Sequence, residues 1–299
     1  MTNDWEINNM PAPEFSKIIL EAIDGNFDYD KARAWTGTNM STTVMIAAFY
    51  LISIFAIESA MSRKKAFELR QSLAAWNFAQ SLFSAIVVYH TFPEAWRTFQ
   101  AHGLREVQCD KSFIRTSVAG PWHFAFVLSK VFDLVDTFFI VFRKRPLIFL
   151  HYYHHAITMP MGFYGYWRYW PGQLITSANG SVHTFMYFYY GLRALDCKVP
   201  GWVAKAITKL QISQFVVAMA GGIHYTVELT SGSDCVDATV REYFIVWILD
   251  LIFLYLFVDF FRMAYIHNGG RDKYKDGEAK TFCVPDHVPV ADGSKGKSD

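Results

Sequence analysis

The chain has 299 residues, 52% of them hydrophobic and 17% aromatic, with a mean hydropathy of +0.13 and a formal net charge of +1. So small a charge singles out no class of partner and gives nucleic acid no electrostatic footing, so nucleic acid is not expected as a partner. The apolar residues gather into long blocks, which excludes an ordinary soluble globule. Seven stretches, roughly 42–61, 72–92, 122–142, 147–168, 173–192, 206–227 and 242–262, suit a hydrocarbon core about 30 Å thick. Only helices satisfy their own backbone in lipid without closing a barrel. The expectation is an all-α, polytopic membrane protein with seven transmembrane helices.

In chain order, residues 1–41 read as a polar lumenal lead without a cleavable signal peptide, so the first membrane helix must direct insertion. Asn39-Met40-Ser41 is a glycosylation sequon set very close to that helix. Arg63, Lys64, Lys65 and Arg70 fill the first loop. Arg143, Lys144 and Arg145 fill the turn between the third and fourth segments, and Arg193, Lys198 and Lys205 follow the fifth. The positive-inside bias places these loops and the C-terminus in the cytosol and the N-terminus in the lumen. Cys109 and Cys235 then fall in the two long lumenal loops, 93–121 and 228–241, where an oxidising compartment lets them pair. Cys197 and Cys283 are expected free on the cytosolic side.

No internal repeat and no second domain is evident. A membrane domain at 42–263 is followed by a Gly-, Lys- and Asp-rich cytosolic tail at 264–299, read as disordered. Lys295 and Lys297, fifth and third from the end, resemble a dilysine signal for retrieval to the endoplasmic reticulum; a solvated basic tail is the plain alternative. The turn from Arg143 to Pro146 is so short that the third and fourth helices must form an antiparallel hairpin.

Polar residues interrupt four of the apolar segments. The third carries Lys130, Asp133, Asp136 and Thr137. Lys130, Asp133 and Thr137 share a face, with Asp136 slightly round from it. A lysine with two carboxylates can neutralise itself, so a structural ion pair is an alternative to chemistry. The fourth carries an H-x-x-H-H box, His151, His154 and His155, whose i, i+3, i+4 spacing puts three imidazoles on one face. The fifth carries Asn179, His183, Met186, Tyr187 and Tyr190 in one stripe. The sixth carries Thr208, Gln211 and Gln214 on one face, although glutamines alone are common interhelical glue. Most of these groups lie about 6–14 Å below the cytosolic helix ends at 1.5 Å per residue, with Lys130 deeper. Ionisable groups at membrane depth persist mainly where they do chemistry, so the shared depth points to a membrane enzyme whose site opens to the cytosol.

Two chemistries fit the box. One is a metal site of the desaturase or hydroxylase kind, which needs about eight histidines; only His151, His154, His155 and His183 cluster, though a zinc needs no more than three or four. The other uses imidazole directly as nucleophile and general base, with no metal or other cofactor. No cysteine lies in the cluster to supply a thiol. A non-catalytic lipid transporter would need a polar path through both membrane halves or a repeat symmetry, and neither is visible.

Four ordered motifs carry a resemblance: Lys130-V-F-Asp133-L-V-Asp136-Thr137, His151-Y-Y-His154-His155, Asn179-G-S-V-His183-T-F-Met186-Tyr187-F-Tyr189-Tyr190 and Thr208-K-L-Gln211-I-S-Gln214-Phe215. Over nearly the whole chain the sequence resembles the ELO family of very-long-chain fatty-acid elongases. The run FAFVLSK…DTFFIVFRKRPLIFLHYYHH is most similar to the branch acting on saturated and monounsaturated chains near sixteen carbons. Asp133 departs from the pattern, which usually has Glu there. The resemblance implies a 3-ketoacyl-CoA synthase of the endoplasmic reticulum that joins acyl-CoA and malonyl-CoA. It implies His154 as acyl acceptor, with His183 and His151 assisting malonyl decarboxylation, His155 orienting the box, and Asp136 or a glutamine fixing a tautomer. Arg143, Lys144 and Arg145 are placed to meet CoA phosphates, although topology alone also explains them. Expected partners are membrane lipids and the ketoacyl-CoA reductase, dehydratase and enoyl reductase that complete the cycle; a homo-oligomer is compatible with the sequence. The end of the acyl pocket is expected beyond Lys130, towards the lumen, among bulky residues of the third, sixth and seventh helices.

Overall fold

The structure, a computed structural model, describes residues 13–109, 112–115, 118–168, 170, 172–231 and 239–267, and every regular element among them is a helix. In chain order these are α1 Phe15–Ile23, α2 Tyr29–Thr38, α3 Met40–Met61, α4 Arg70–Cys109, α5 Ser112–Arg115 and α6 Ala119–Asp133. They are followed by α7 Val135–Phe142, α8 Phe149–Trp167, α9 Gly172–Ala194, α10 Gly201–Thr230 and α11 Val240–Tyr265. The seven expected segments fall on α3, α4, α6 with α7, α8, α9, α10 and α11. By length and composition, α3, α4, α10 and α11 are long and apolar enough to cross a membrane. The others are interrupted or diluted by the polar motifs: α6 stops at Leu134 before α7 begins, and α8 and α9 carry the histidines. The chain is a multi-pass, all-helical membrane protein.

Local signals explain the ends. Asp28 accepts from the Lys31 N–H at 3.1 Å and caps α2. Thr239 and Glu242 form a capping box at the start of α11, each satisfying an otherwise unpaired backbone donor. The turn after α7 is closed by the Arg145 N–H on the Ile140 carbonyl at 2.9 Å, with Lys144 at φ 53°. It reverses the chain so that α8 packs against α6, as the short loop required.

Two expectations change. The lead is not merely a polar preamble: α2 packs on α8, where Tyr29 Oη donates to the Tyr166 carbonyl at 3.0 Å and Arg33 Nε to that of Trp167 at 2.6 Å. Ile18, Phe27, Tyr29 and Ala32 join the main core with Tyr50, Phe124, Met159 and Phe163. The long loop at 93–121 is largely helical, since α4 runs past Pro93 to Cys109 and breaks only at Gly103 (φ 80°), a conformation glycine tolerates best. At the sequon, already disfavoured by its closeness to the first membrane helix, the Asn39 side-chain amide donates to the Trp35 carbonyl at 2.8 Å.

Cys109 is disulfide-bonded, and Cys197 is free and exposed. Cys235, its expected partner, lies outside the described residues, as do Cys283, Lys295 and Lys297.

Candidate active site

The polar motifs meet where α4, α6, α7, α8, α9 and α10 come together, and they are wired in two layers. In the deeper layer Lys130 is buried at 8% exposure. Its ammonium donates to Asp133 Oδ2 at 3.0 Å and Asn179 Oδ1 at 3.2 Å and lies 4.3 Å from the centre of the Phe126 ring. Gln80 Nε2 donates to the other Asp133 oxygen at 3.1 Å. Asn179 passes the chain on, its Nδ2 donating to Gln214 Oε1 at 3.1 Å. A buried charge is tolerable when paired and hydrogen-bonded in this way, and the shorter aspartate still reaches its lysine.

The second layer belongs to Asp136 and Thr137. Tyr187 Oη and Trp76 Nε1 donate to the two oxygens of Asp136, each at 2.6 Å. Both oxygens are thus occupied, and among the described residues no histidine is hydrogen-bonded to Asp136. The tautomer-fixing role expected of it, or of a glutamine, is not what the geometry shows. Gln214 accepts from Asn179, and Gln211 donates to Met186 Sδ at 3.2 Å. The contact that holds a histidine of the box is Thr137, whose Oγ1 lies 3.0 Å from His151 Nε2 and 2.7 Å from Tyr50 Oη.

The imidazoles themselves are close. The rings of His151 and His155 are 4.3 Å apart and those of His154 and His155 5.6 Å. His154 packs edge-on against Phe253 and Phe257 of α11, at 5.2 and 6.1 Å, and His183 meets the Tyr187 ring at 5.3 Å. His155 Nδ1 is buried with no hydrogen-bond partner among the described residues. Among those residues, no three His, Cys, Asp or Glu side chains form a grouping fit to hold a metal ion.

Of the four histidines, only His154 lines the large cavity beside the site. That cavity follows α8 from His154 past Thr158, Gly162 and Gly165 to Tyr166, about 18 Å at 1.5 Å per residue. Its far end lies beyond Lys130, among His123 of α6, Tyr225 of α10 and Trp247 of α11, the region where bulky residues were expected. His123 is fixed there by Thr176, 2.7 Å away.

Not every expected residue joins. Tyr190 is 42% exposed, while Tyr189 is the buried neighbour; the stripe on α9 turns outward at its last position. Thr208 Oγ1 bonds back to the Ala204 carbonyl at 3.1 Å. Lys144 donates to the carbonyls of Ser62 and Lys64 at 3.2 and 3.1 Å, clamping the loop after α3 to the turn after α7. Conversely, Trp76, Gln80 and Tyr50 serve the site without having been singled out. Trp76 and Gln80 stand four residues apart, so their shared helical face was readable.

The sequence matches the model of the "ELO: GNS1/SUR4 family" over residues 35–273. It is 35% identical to Long chain fatty acid elongase 1 of Caenorhabditis elegans over 258 residues, covering 84% of this chain and 87% of that protein. Similarity to Very long chain fatty acid elongase 3 of Homo sapiens is 34% over 253 residues, 84% of this chain and 93% of that one. With Very long chain fatty acid elongase 6 of Homo sapiens it is 33% over 245 residues, 82% and 92%.

Proposed function

This chain belongs to the ELO (GNS1/SUR4) family and is a condensing enzyme of fatty-acid elongation, and from that premise we propose how its residues divide the work. The reaction joins a long-chain acyl-CoA to malonyl-CoA, giving 3-ketoacyl-CoA, CO2 and CoA. The imidazole of His154 attacks the acyl thioester; CoA leaves as the thiol, taking up a proton, and the acyl group stays on His154 as an acyl-imidazole. Malonyl-CoA then loses CO2, and the carbanion formed attacks the acyl carbonyl, which expels the imidazole and forms the new carbon–carbon bond. His183 and His151 donate to the developing enolate or assist decarboxylation. His155 and Thr137 orient the box, and Lys130, Asp133, Asn179 and Gln214 hold its helices in register.

The observation that carries the assignment is that His154 alone of the four histidines faces the cavity. An acyl chain with its carbonyl at this end of the cavity meets no other imidazole of the four, and His123 lies at the far end. Arg143, Lys144 and Arg145, on the turn just before α8, bring positive charge to where CoA phosphates would approach. The seven apolar segments favour seven crossings, the distribution of Lys and Arg favours a lumenal N-terminus and a cytosolic C-terminus, and the family resemblance favours residence in the endoplasmic reticulum. A ketoacyl-CoA reductase, a dehydratase and an enoyl reductase are the natural consumers of the product. No metal or other cofactor takes part in this scheme.

The test is mass spectrometry of the purified protein after incubation with acyl-CoA alone. An acyl adduct on His154, absent from His154→Ala, is the expected result; no adduct with any acyl-CoA counts against a covalent intermediate. Condensation is expected to survive chelators. Its loss on chelation would favour the metal reading.

A further inference from the structure

α11 turns one stripe of side chains into the cavity: Tyr243, Val246, Trp247, Asp250 and Phe253, spaced as one face of a helix. Four of the five are aromatic or aliphatic. Asp250 is a carboxylate in the middle of the most hydrophobic candidate membrane span of the chain, and no step above uses it. Among the described residues it makes no hydrogen bond and no ion pair. The cavity's ammonium, Lys130, is engaged with Asp133 and Asn179, and Tyr243 Oη donates to the Gly222 carbonyl at 2.7 Å. An ionisable group at this depth is costly unless something donates to it, and it is by default a mark of function.

Its position fixes which part of a substrate it meets. Phe253, whose ring is 5.2 Å from His154, lies three residues nearer the cytosolic end, so Asp250 is about 4.5 Å farther along the helix axis, into the cavity. An acyl chain with its carbonyl at His154 therefore passes Asp250 with its first carbons, not with its methyl end. The group that satisfies Asp250 must donate a hydrogen bond and must be uncharged to enter an apolar cavity. A hydroxyl does both. A plain hydrocarbon at the same place strips water from the carboxylate and returns nothing.

We propose that this cavity takes acyl chains bearing a hydroxyl on one of the carbons nearest the thioester, the hydroxyl donating to the carboxylate of Asp250. The inference rests on the condensing activity described above and adds a substrate class to it. Sites built around a hydrogen bond to a substrate hydroxyl discriminate against the analogue that lacks it.

The experiment is condensation with malonyl-CoA by the full-length protein in detergent, using three kinds of acyl-CoA of one chain length. They are the saturated chain, a series hydroxylated on successive carbons from the thioester, and the chain hydroxylated at its methyl end. One near-thioester isomer is expected to exceed the saturated chain in kcat/KM by about tenfold, the worth of one good hydrogen bond, while the methyl-end isomer gains nothing. Asp250→Leu, apolar and suited to a membrane helix, should lose that gain, measured against its own turnover of the saturated chain. Asp250→Asn, which keeps an acceptor oxygen, should retain part of it. The proposal is overturned if no hydroxylated isomer exceeds the saturated chain, or if the gain survives Asp250→Leu. Failure of every chain, the saturated one included, would instead overturn the condensing scheme and this inference with it.

Discussion

α4 and α9 meet along a close seam, whereas α11 reaches α8 across the cavity by only a few side chains. In the seam, Ser81 Oγ donates to the Thr184 carbonyl at 2.8 Å. A Cβ at Gly180 would stand 2.9 Å from Val88 and one at Gly191 2.7 Å from the Phe78 ring, so small residues let these backbones approach. α11 holds α8 through Phe253 against Tyr153 and His154, and through Glu242, which accepts from Tyr164 and Arg168. The contrast separates two demands. Catalytic groups must be held at fixed distances, and α9, which brings His183, Tyr187 and Asn179, sits on the close-packed side. The facing wall of the cavity depends more on bulk and shape, much of it supplied by Phe215 of α10 and Trp247 and Phe253 of α11.

The strongest attempt to break this division is Lys130→Met. It leaves the Asp133 carboxylate buried with Gln80 alone, a loss of about 3–5 kcal/mol, read as a large drop in thermal unfolding temperature in detergent. Adding Asp133→Leu should restore most of the stability without restoring condensation. Recovery of both would make the pair purely structural. Next in size, Gly180→Val forces the seam apart and should cost about 1–3 kcal/mol. The control Gly201→Ala, whose Cβ meets nothing within 4 Å, should stay within about 0.5 kcal/mol; equal losses would erase the contrast. Glu242→Gln weakens the tie of α11 to α8 by about 1 kcal/mol, expected as faster amide exchange in the first turns of α11. Unchanged exchange would mean that ring packing alone holds the wall. Smallest of all, Tyr190→Phe on the exposed edge of α9 should leave stability within about 0.5 kcal/mol of the parent and condensation unchanged.

The centre of the site was legible because helical spacing alone brings His151, His154 and His155 together, shared depth adds His183, and the stripe on the fifth segment adds Asn179. What spacing cannot give is who answers whom across helices. Asp136 was set beside the histidines by depth, yet its oxygens go to Trp76 and Tyr187, donors on two other helices that spacing within one helix cannot announce. Trp76 and Gln80 were passed over inside an apolar run, where tryptophan and glutamine read as packing and glue. The lead was read as polar because α2 is; its burial against α8 depends on Tyr29 and Arg33 finding two carbonyls at a helix end, a pairing no local pattern announces. Asp250 shares its apolar segment with Asp259, and of the two only Asp250 lines the cavity, which gives it meaning.

The polar load on α8 and α9 also bears on how the chain is made. A segment leaving the ribosome partitions into lipid on its own apolar content, and these two fall below α3, α4, α10 and α11 in that respect. Their insertion must lean on α3 and α4 before them and α10 and α11 after them. Histidines and carboxylates that would be costly singly are accepted once Lys130, Asp133, Asn179 and Gln214 can answer one another. Biosynthetic yield, before any measure of turnover, is thus where the first cost of carrying this chemistry inside a membrane should be seen.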